Sequence, residues 1–139
     1  MLDYSNLPHH NVLCIDMKSF YASCECVARG LDPLNTYLAV IGDKKYSGSI
    51  VLAASPKMKQ DYGIKTGSRL FEIPRNPKIH LAEARMALYL EQSLHINRLL
   101  NEFVPLEAIH VYSVDESWIC VDGTERLFGD RWEIAKKIK

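Results

Sequence analysis

Three carboxylates, each following an apolar run with β-strand character, constrain this chain more than any other feature. Asp16 follows Val12–Ile15, and the pair Asp115-Glu116 follows Ile109–Val114. A carboxylate at the end of a buried strand is costly unless a cation or hydrogen bonds receive it. Three of them meeting at one point would form an all-oxygen site suited to Mg²⁺, which binds carboxylates together with substrate phosphates. The pattern therefore predicts a two-metal phosphoryl-transfer site.

The adjacency of Asp115 and Glu116 predicts a hairpin. Neighbouring side chains in a strand face opposite sides of a sheet, so this pair can serve one site only from a turn. We therefore expect strands over residues 109–114 and 117–121, with the pair at the tip and the strand ending at Asp16 beside it. Three carboxylates that close repel one another without cations. From the residues alone, an ordinary polar turn and a helix N-cap are the alternative.

Length and composition bound the class of protein. The 139 residues, 47% of them hydrophobic, are enough for about one domain with a real core. No apolar run approaches the ~20 residues that span a bilayer, and the polar segment 1–11 lacks the apolar core of a secretory signal. We expect Cys14 and Cys120 to lie in core strands. Together with Cys24 and Cys26, they predict reduced thiols of a cytosolic protein, without a zinc site.

Charge is unevenly distributed along a chain whose net charge is zero. Residues 44–78 carry eight basic and two acidic side chains, whereas residues 79–125 carry two basic and eight acidic ones. A basic module beside an acidic one fits an anionic substrate held by the first and metal ions held by the second. Solvated charge on two ordinary surfaces is the alternative.

Periodicity and capping residues predict the remaining elements. Ser55-Pro56 is a typical helix start, and Gly63 a typical helix end. We expect a fully buried strand over Val12–Ile15 and an irregular stretch from Thr66 to Pro77. The other predicted strands cover 37–41, 49–54 and the block 108–122, and the predicted helices cover 18–28, 56–62, 85–103 and 130–139.

Several segments, in order, resemble the Y-family (UmuC-like, ImpB/MucB/SamB-type) translesion DNA polymerases. Ile15–Ser23 resembles the first signature of the family, and Tyr112–Ser117 resembles its second palm signature. Val51–Ser55 with Gly63–Gly67 is similar to the fingers segment, and Leu127-Phe128-Gly129 is also typical of the family. The resemblance spans residues 12–139.

The resemblance implies specific roles. Asp16, Asp115 and Glu116 would be catalytic and would bind two Mg²⁺ ions, for which Mn²⁺ can substitute, with the main-chain oxygen of Met17 as a further ligand. Tyr21 matches the steric gate, whose ring occupies the space that a 2′-hydroxyl would need. Phe20 would flank the incoming triphosphate. Without the resemblance, Phe20 and Tyr21 would be interpreted as core aromatics.

The phosphate-binding segment departs from the family pattern. Family members commonly place a Tyr and, three residues later, a basic residue on the fingers helix, where this chain has Lys57 and Gln60. Gln60 carries no positive charge. Lys57 or Lys59 is the candidate replacement, helped by the helix N-terminus after Pro56, which favours anions. A solvated lysine pair is the alternative.

The implied fold class is α+β, with a palm-like, mostly antiparallel β-sheet backed by helices and a small inserted fingers module. We expect palm in residues 1–29 and 81–139 and fingers in residues 30–80, with the thumb and little-finger domains absent. The chain would then be a fragment that polymerises weakly or not at all alone. Implied partners are primed template DNA and dNTP, and a sliding clamp or accessory SOS proteins through the absent regions, with no membrane. The implied location is the cytoplasm, at the nucleoid.

Two other functions remain open. A template-independent palm-type nucleotidyltransferase or cyclase would use the same three carboxylates and bind triphosphate equally with or without primed DNA. A degenerate, non-catalytic module would regulate or bind a partner, and Gln60 is the residue that most favours it.

Overall fold

Two compact units make up the computed structural model, which describes residues 3–139. One unit contains residues 3–16 and 93–139, and the other contains residues 17–92. The first two residues of the predicted palm segment 1–29 lie outside the described part. The assignment of palm to 1–29 and 81–139, and of fingers to 30–80, stays a prediction.

The first unit is built on an antiparallel sheet. Its strands are β1 (Val12–Asp16), β5 (Ile109–Val111) and β6 (Glu116–Cys120), in the order β1-β6-β5. The predicted hairpin is confirmed, because β5 and β6 pair in antiparallel fashion with β1 on the other side of β6. Its turn covers residues 112–115, so Glu116 is already the first residue of the returning strand.

One face of this sheet covers a hydrophobic core. Ile119 is fully buried and packs with Leu13 and Ile15, because alternate residues of β1 and β6 point to this side. The core also contains residues from α3 (Met86–Leu100) and from α5 (Arg131–Ile138), with the short α4 (Glu125–Phe128) before it. Asp130 caps α5, since its carboxylate accepts hydrogen bonds from two backbone amides of the first turn.

The second unit contains a sheet with the order β3-β2-β4. Strands β2 (Tyr37–Ile41) and β3 (Val51–Ala54) are antiparallel, whereas β2 and β4 (Ile79–Glu83) are parallel. Helix α1 (Phe20–Ala28) contacts β2 and β3, and α2 (Pro56–Tyr62) contacts β2. Strand β4 was not predicted, because the short run after Pro77 has no turn signal separating it from the following helix.

The predicted caps of α2 are confirmed. The Ser55 side chain accepts a hydrogen bond from the Met58 amide, Pro56 is the first helical residue, and Gly63 ends the helix with φ 68°.

The stretch 66–77 is irregular except for a short 3-10 helix at Leu70–Glu72. The α+β fold class is confirmed. No helix within residues 3–139 has the length and apolar character needed to cross a membrane.

Two expectations about burial are wrong. Strand β1 is not fully buried, since its residues alternate between exposed and half-buried. For the same reason Cys14 is exposed and Cys120 is only half-buried, whereas Cys24 and Cys26 are buried. The apolar sequence of residues 12–15 is typical of a strand buried on both faces, but the hydrophobic core covers only one face of this sheet. All four cysteines are free thiols.

Candidate active site

Strand register brings Asp16 and Glu116 together. The two are direct cross-strand partners at one end of the β1–β6 ladder. Directly opposed residues of an antiparallel pair have Cα atoms about 4.5–5.5 Å apart and side chains on the same face. Asp16 is exposed and Glu116 is half-buried. The two carboxylates therefore share the solvent-facing side of the sheet, opposite the core that contains Ile119.

Asp115 immediately precedes this pair, at the end of the turn. Its Oδ1 accepts a hydrogen bond of 2.8 Å from the Ser113 hydroxyl. The turn is closed by the amides of Tyr112 and Ser113, which both donate to the Glu116 carbonyl, at 3.0 and 3.1 Å. Asp115 is half-buried and lies next to Glu116 in the chain, as the sequence requires.

The carboxylate of Glu116 has hydrogen-bond donors of its own. Its Oε1 accepts from Trp118 Nε1 at 2.7 Å and from the Cys14 thiol at 3.4 Å. Reduced hydration of the thiol, its hydrogen bond to Glu116 and the negative charges of Glu116 and then Asp16 raise the pKa of Cys14. Within residues 3–139, Asp16, Asp115 and Glu116 do not form a group whose ligand atoms all lie within 4.8 Å of one another. Their convergence on shared ions stays a prediction.

In the second unit, the candidate gate residue is held by aromatic stacking. Tyr21 is half-buried, and its ring stacks on that of Tyr89, with centroids 4.4 Å apart and planes 12° apart. Phe20 is only 6% exposed, and its ring lies 6.1 Å from that of Tyr21. The core-aromatic interpretation therefore fits Phe20 better than Tyr21.

A buried glutamate anchors this stack and was missed by sequence reasoning. Glu25 is fully buried in α1, and Tyr89 donates a hydrogen bond of 2.8 Å to its Oε1. Arg85 donates to both carboxylate oxygens, at 3.0 and 2.7 Å, and Arg29 donates to Oε2. A single charged residue within the otherwise apolar run 24–27 was the available signal.

Competing effects set the ionisation of this cluster. Burial alone would raise the pKa of Glu25, but hydrogen bonds from Arg85, Arg29 and Tyr89 outweigh it and lower the pKa to about 2. Burial, together with the Glu25 carboxylate, raises the pKa of Tyr89. Glu25 is therefore an ionised acceptor and Tyr89 a neutral donor at neutral pH.

The two candidate phosphate-binding lysines have different surroundings. Lys57 Nζ lies 3.6 Å from the Asp61 carboxylate and 5.5 Å from the centroid of the Tyr37 ring. Lys59 is exposed, and its Nζ donates a hydrogen bond of 2.9 Å to the Ser19 hydroxyl, immediately before α1. Ser19 has a left-handed backbone, with φ 52°. Gln60 is exposed.

Most of the basic side chains of segment 44–78 are available to an anion. Among the described residues, only Lys57 of the eight forms an ion pair, and the other seven are exposed. An open cavity of about 640 Å³ in this unit has Lys44, Lys45 and Arg75 in its wall beside the apolar Leu70 and Phe71. Met17, the remaining candidate ligand, follows Asp16 directly and is half-buried.

Comparison with known proteins identifies the family. Residues 15–139 match the model of the impB/mucB/samB family. The chain is 55% identical over 139 residues to the "Putative UV-damage repair protein UvrX" of Bacillus subtilis, covering all of this chain and 32% of UvrX. It is 55% identical over 115 residues to the "DNA repair protein homolog YozK" of the same organism, covering 83% of this chain and all of YozK. It is 38% identical over 129 residues to the B. subtilis "DNA polymerase IV 2", covering 92% of this chain and 30% of that polymerase.

Solved structures share the fold. A "Y-family DNA polymerase chimera" of Dbh and Dpo4 superimposes with a TM-score of 0.74 at 25% identity, covering 92% of this chain and 37% of that one. A structure titled "Dbh Ternary Complex" superimposes with a TM-score of 0.72 at 26% identity, covering 92% of this chain and 36% of that one. The chain belongs to the impB/mucB/samB family of Y-family DNA polymerases. It spans about a third of the length of UvrX and of DNA polymerase IV 2.

Proposed function

We propose that this chain contributes the catalytic palm and fingers for template-directed DNA synthesis across damaged DNA. The pairing of Asp16 with Glu116 on an exposed sheet face, with Asp115 adjacent, is the observation that carries the proposal. The names of its relatives, which include DNA polymerases and DNA repair proteins, point to the same chemistry. The proposal rests on the residues of this site and not on the fold alone.

The donor set of the proposed catalytic site fits a hard divalent cation. Asp16, Asp115 and Glu116 with the Met17 carbonyl offer only oxygen atoms, which suits Mg²⁺ and also Mn²⁺. Trp118 and Cys14 both donate to Oε1 of Glu116, so Oε2 is the oxygen that Glu116 would offer to a metal ion. When bound, two such ions activate an attacking hydroxyl and neutralise a leaving pyrophosphate.

The remaining proposed roles concern the nucleotide. We assign Tyr21 as the steric gate, because its half-buried ring is positioned by stacking on the ring of Tyr89. We assign Lys59 to the triphosphate before Lys57, since Lys57 already has an anionic neighbour in Asp61. Phe20 is only 6% exposed, so its role near the nucleotide would be to pack beside Tyr21 from the core, and Gln60 contributes at most a neutral hydrogen bond.

The proposed substrates are primed template DNA and dNTP, and such a protein would work in the cytoplasm, at the nucleoid. The seven basic side chains of segment 44–78 that form no ion pair within residues 3–139 would supply the sequence-independent attraction for phosphate groups. A sliding clamp or accessory SOS proteins would engage parts of a longer polymerase that this chain does not include. A non-catalytic regulatory module is the second candidate, favoured by Gln60 and by the hydrogen bonds that engage Glu116.

Calorimetric titration with Mg²⁺ tests the proposal. We expect Asp16→Asn and Glu116→Gln to weaken Mg²⁺ binding at least roughly tenfold, because losing a ligand costs no less than losing a supporting residue. Glu107→Gln is the matched control, since Glu107 is exposed in the same unit and lies in the short 3-10 helix Leu106–Ala108, outside the turn that carries Asp115. Absence of carboxylate-dependent binding in the unsubstituted chain would favour the regulatory module.

Nucleotide titrations separate a polymerase from a template-independent nucleotidyltransferase or cyclase. A polymerase site binds the dNTP that matches the template base more tightly when primed DNA is present. Equal affinity with and without primed DNA would favour the template-independent enzyme.

A further inference from the structure

A second cluster of metal-ligating side chains lies on the exposed face of the first sheet. It consists of His10, Cys120 and Asp122, whose ligand atoms all lie within 4.8 Å of one another. Cys120 follows Glu116 by four strand residues, which corresponds to about 13 Å along β6. The cluster is therefore at the opposite end of the ladder from Asp16 and Glu116.

Strand geometry explains why these three residues meet. The register pairs Val12 with Cys120, and the Val121 amide continues the ladder by donating to the Asn11 carbonyl at 2.9 Å. Extending this register by two residues places His10 opposite Asp122. Because alternate residues share a face, all three side chains stand on one side of the sheet.

Asp122 is held in a fixed orientation. Its Oδ1 accepts hydrogen bonds from the Asn11 amide at 2.9 Å and from Asn11 Nδ2 at 3.0 Å. Its Oδ2 is left for His10, whose Nδ1 lies 2.7 Å away. Outer hydrogen bonds of this kind orient carboxylates that bind metals. Asn11 Oδ1 in turn accepts a hydrogen bond of 3.3 Å from Arg131.

We propose that His10, Cys120 and Asp122 bind a zinc ion. One imidazole nitrogen, one thiolate and one carboxylate oxygen are typical zinc ligands, and three protein ligands leave a fourth position for water. Bond lengths of about 2.0–2.3 Å put tetrahedral ligand atoms roughly 3.3–3.8 Å apart, within the observed 4.8 Å limit. The 2.7 Å contact between His10 and Asp122 would lengthen by roughly half an ångström as the ion replaces their hydrogen bond.

The ligand chemistry separates this site from the oxygen-only site at Asp16. Zinc binding requires the Cys120 thiolate, so the thiol proton is released to solvent, and His10 must be unprotonated. Mg²⁺ disfavours thiolate and imidazole ligands. A bound zinc ion would join the segment before β1 to the end of β6 and stabilise the folded chain by mass action.

Cobalt titration of the 139-residue chain, under reducing conditions, tests the proposal. Co²⁺ reports zinc sites because a thiolate ligand gives it a ligand-to-metal charge-transfer absorption. We expect this band to saturate near one equivalent and to be displaced by Zn²⁺. It should disappear in Cys120→Ser and weaken at least about tenfold in affinity in His10→Ala and Asp122→Asn.

Matched controls are available on the same part of the chain. Cys14→Ser removes the exposed thiol on the same sheet face, and His9→Ala removes the neighbouring exposed imidazole. Both should keep the band, as should Asp16→Asn, so this test does not depend on the polymerase proposal. In addition, Zn²⁺ should raise the midpoint temperature of thermal unfolding for the unsubstituted chain but not for Cys120→Ser. Both proteins should be folded before metal is added.

Three results would overturn the zinc proposal. The first is no thiolate band in the unsubstituted chain. The second is a band that Cys14→Ser abolishes and Cys120→Ser retains. The third is equal cobalt affinity in His10→Ala and the unsubstituted chain, which would leave His10 and Asp122 as a hydrogen-bonded pair only.

Discussion

At the residue scale, the candidate catalytic pair depends on a single register. The antiparallel register of β1 and β6 places Asp16 directly opposite Glu116. In the same register, odd-numbered residues of both strands, such as Ile15 and Ile119, point into the core. A slip of one residue would turn Asp16 towards the core and Ile15 towards water. The burial of Ile119 and its neighbours therefore stabilises the arrangement of the carboxylates on the other face.

Glu25→Gln should destabilise the second unit. The substitution keeps the shape of the side chain but removes the negative charge with which Glu25 pairs Arg85 and Arg29. The site is buried, and Tyr89 also donates a hydrogen bond to Glu25 there. We expect a loss of about 2–3 kcal/mol in the free energy of unfolding, measured by urea denaturation. Glu91→Gln, at an exposed position of α3, should change it by less than about 0.5 kcal/mol.

Lys59→Ala should weaken nucleotide binding more than Lys57→Ala. Lys59 is exposed and its Nζ donates to the neutral Ser19 hydroxyl, whereas Lys57 is engaged by Asp61 and Tyr37. A lost charge-assisted contact to phosphate predicts roughly tenfold weaker binding of dNTP, measured by calorimetry with Mg²⁺ and primed DNA. The reverse order of the two variants would reassign the contact to Lys57.

At the element scale, helix α2 is specified by its two ends. Ser55 caps its N-terminus and also joins it to the sheet, because its hydroxyl donates to the Thr36 carbonyl at 2.6 Å and accepts from the Leu38 amide at 3.2 Å. Gly63 adopts the positive φ that ends the helix. The element that carries Lys59 is thus positioned by capping as well as by the burial of Met58.

Ser55→Ala should therefore cost more than a typical cap substitution. The loss of the cap costs about 1 kcal/mol, and the buried Leu38 amide and Thr36 carbonyl lose a partner as well. We expect a total of about 2 kcal/mol in the free energy of unfolding, measured by urea denaturation. Ser47→Ala, at an exposed position, is the control, and an equal effect of both substitutions would contradict the assigned role of Ser55.

At the scale of the whole molecule, acid should destabilise the fold through Glu25. The pKa of this residue falls from about 4.5 in the unfolded chain to about 2 in the folded one. The unfolded chain therefore binds more protons between these values, and stability falls as the pH is lowered through this window. Thermal unfolding of the unsubstituted chain should show this loss between about pH 4.5 and pH 2, and Glu25→Gln should show a smaller pH dependence.

Primer extension addresses the activity of the chain by itself. The chain spans only about a third of the length of UvrX and of DNA polymerase IV 2. We therefore expect it to extend a primer on a DNA template little or not at all with Mg²⁺ and dNTP. Asp16→Asn, prepared in parallel, controls for contaminating polymerases. Robust processive synthesis by the unsubstituted chain, absent from Asp16→Asn, would contradict this expectation.

Local signals in the sequence were sufficient for most of the elements. Strand β2, helix α2 with both caps, and the β5–β6 hairpin were predicted because their residues carry propensity, capping and turn signals within a short window. Burial was predicted less well. Cys14 was expected in the core, yet it is exposed because nothing in a short apolar run states which face of its sheet will be covered.

By itself, the sequence determined the family and the α+β class, and it predicted the three candidate carboxylates, since each depends on residues close together in the chain or on ordered motifs. Only the tertiary structure decided that Asp16 opposes Glu116, that Glu25 joins Arg85 and Tyr89, and that His10 meets Asp122. These contacts join residues 60–112 positions apart. Their geometry follows from strand register and core burial, which involve the whole chain at once and leave no local pattern in the sequence.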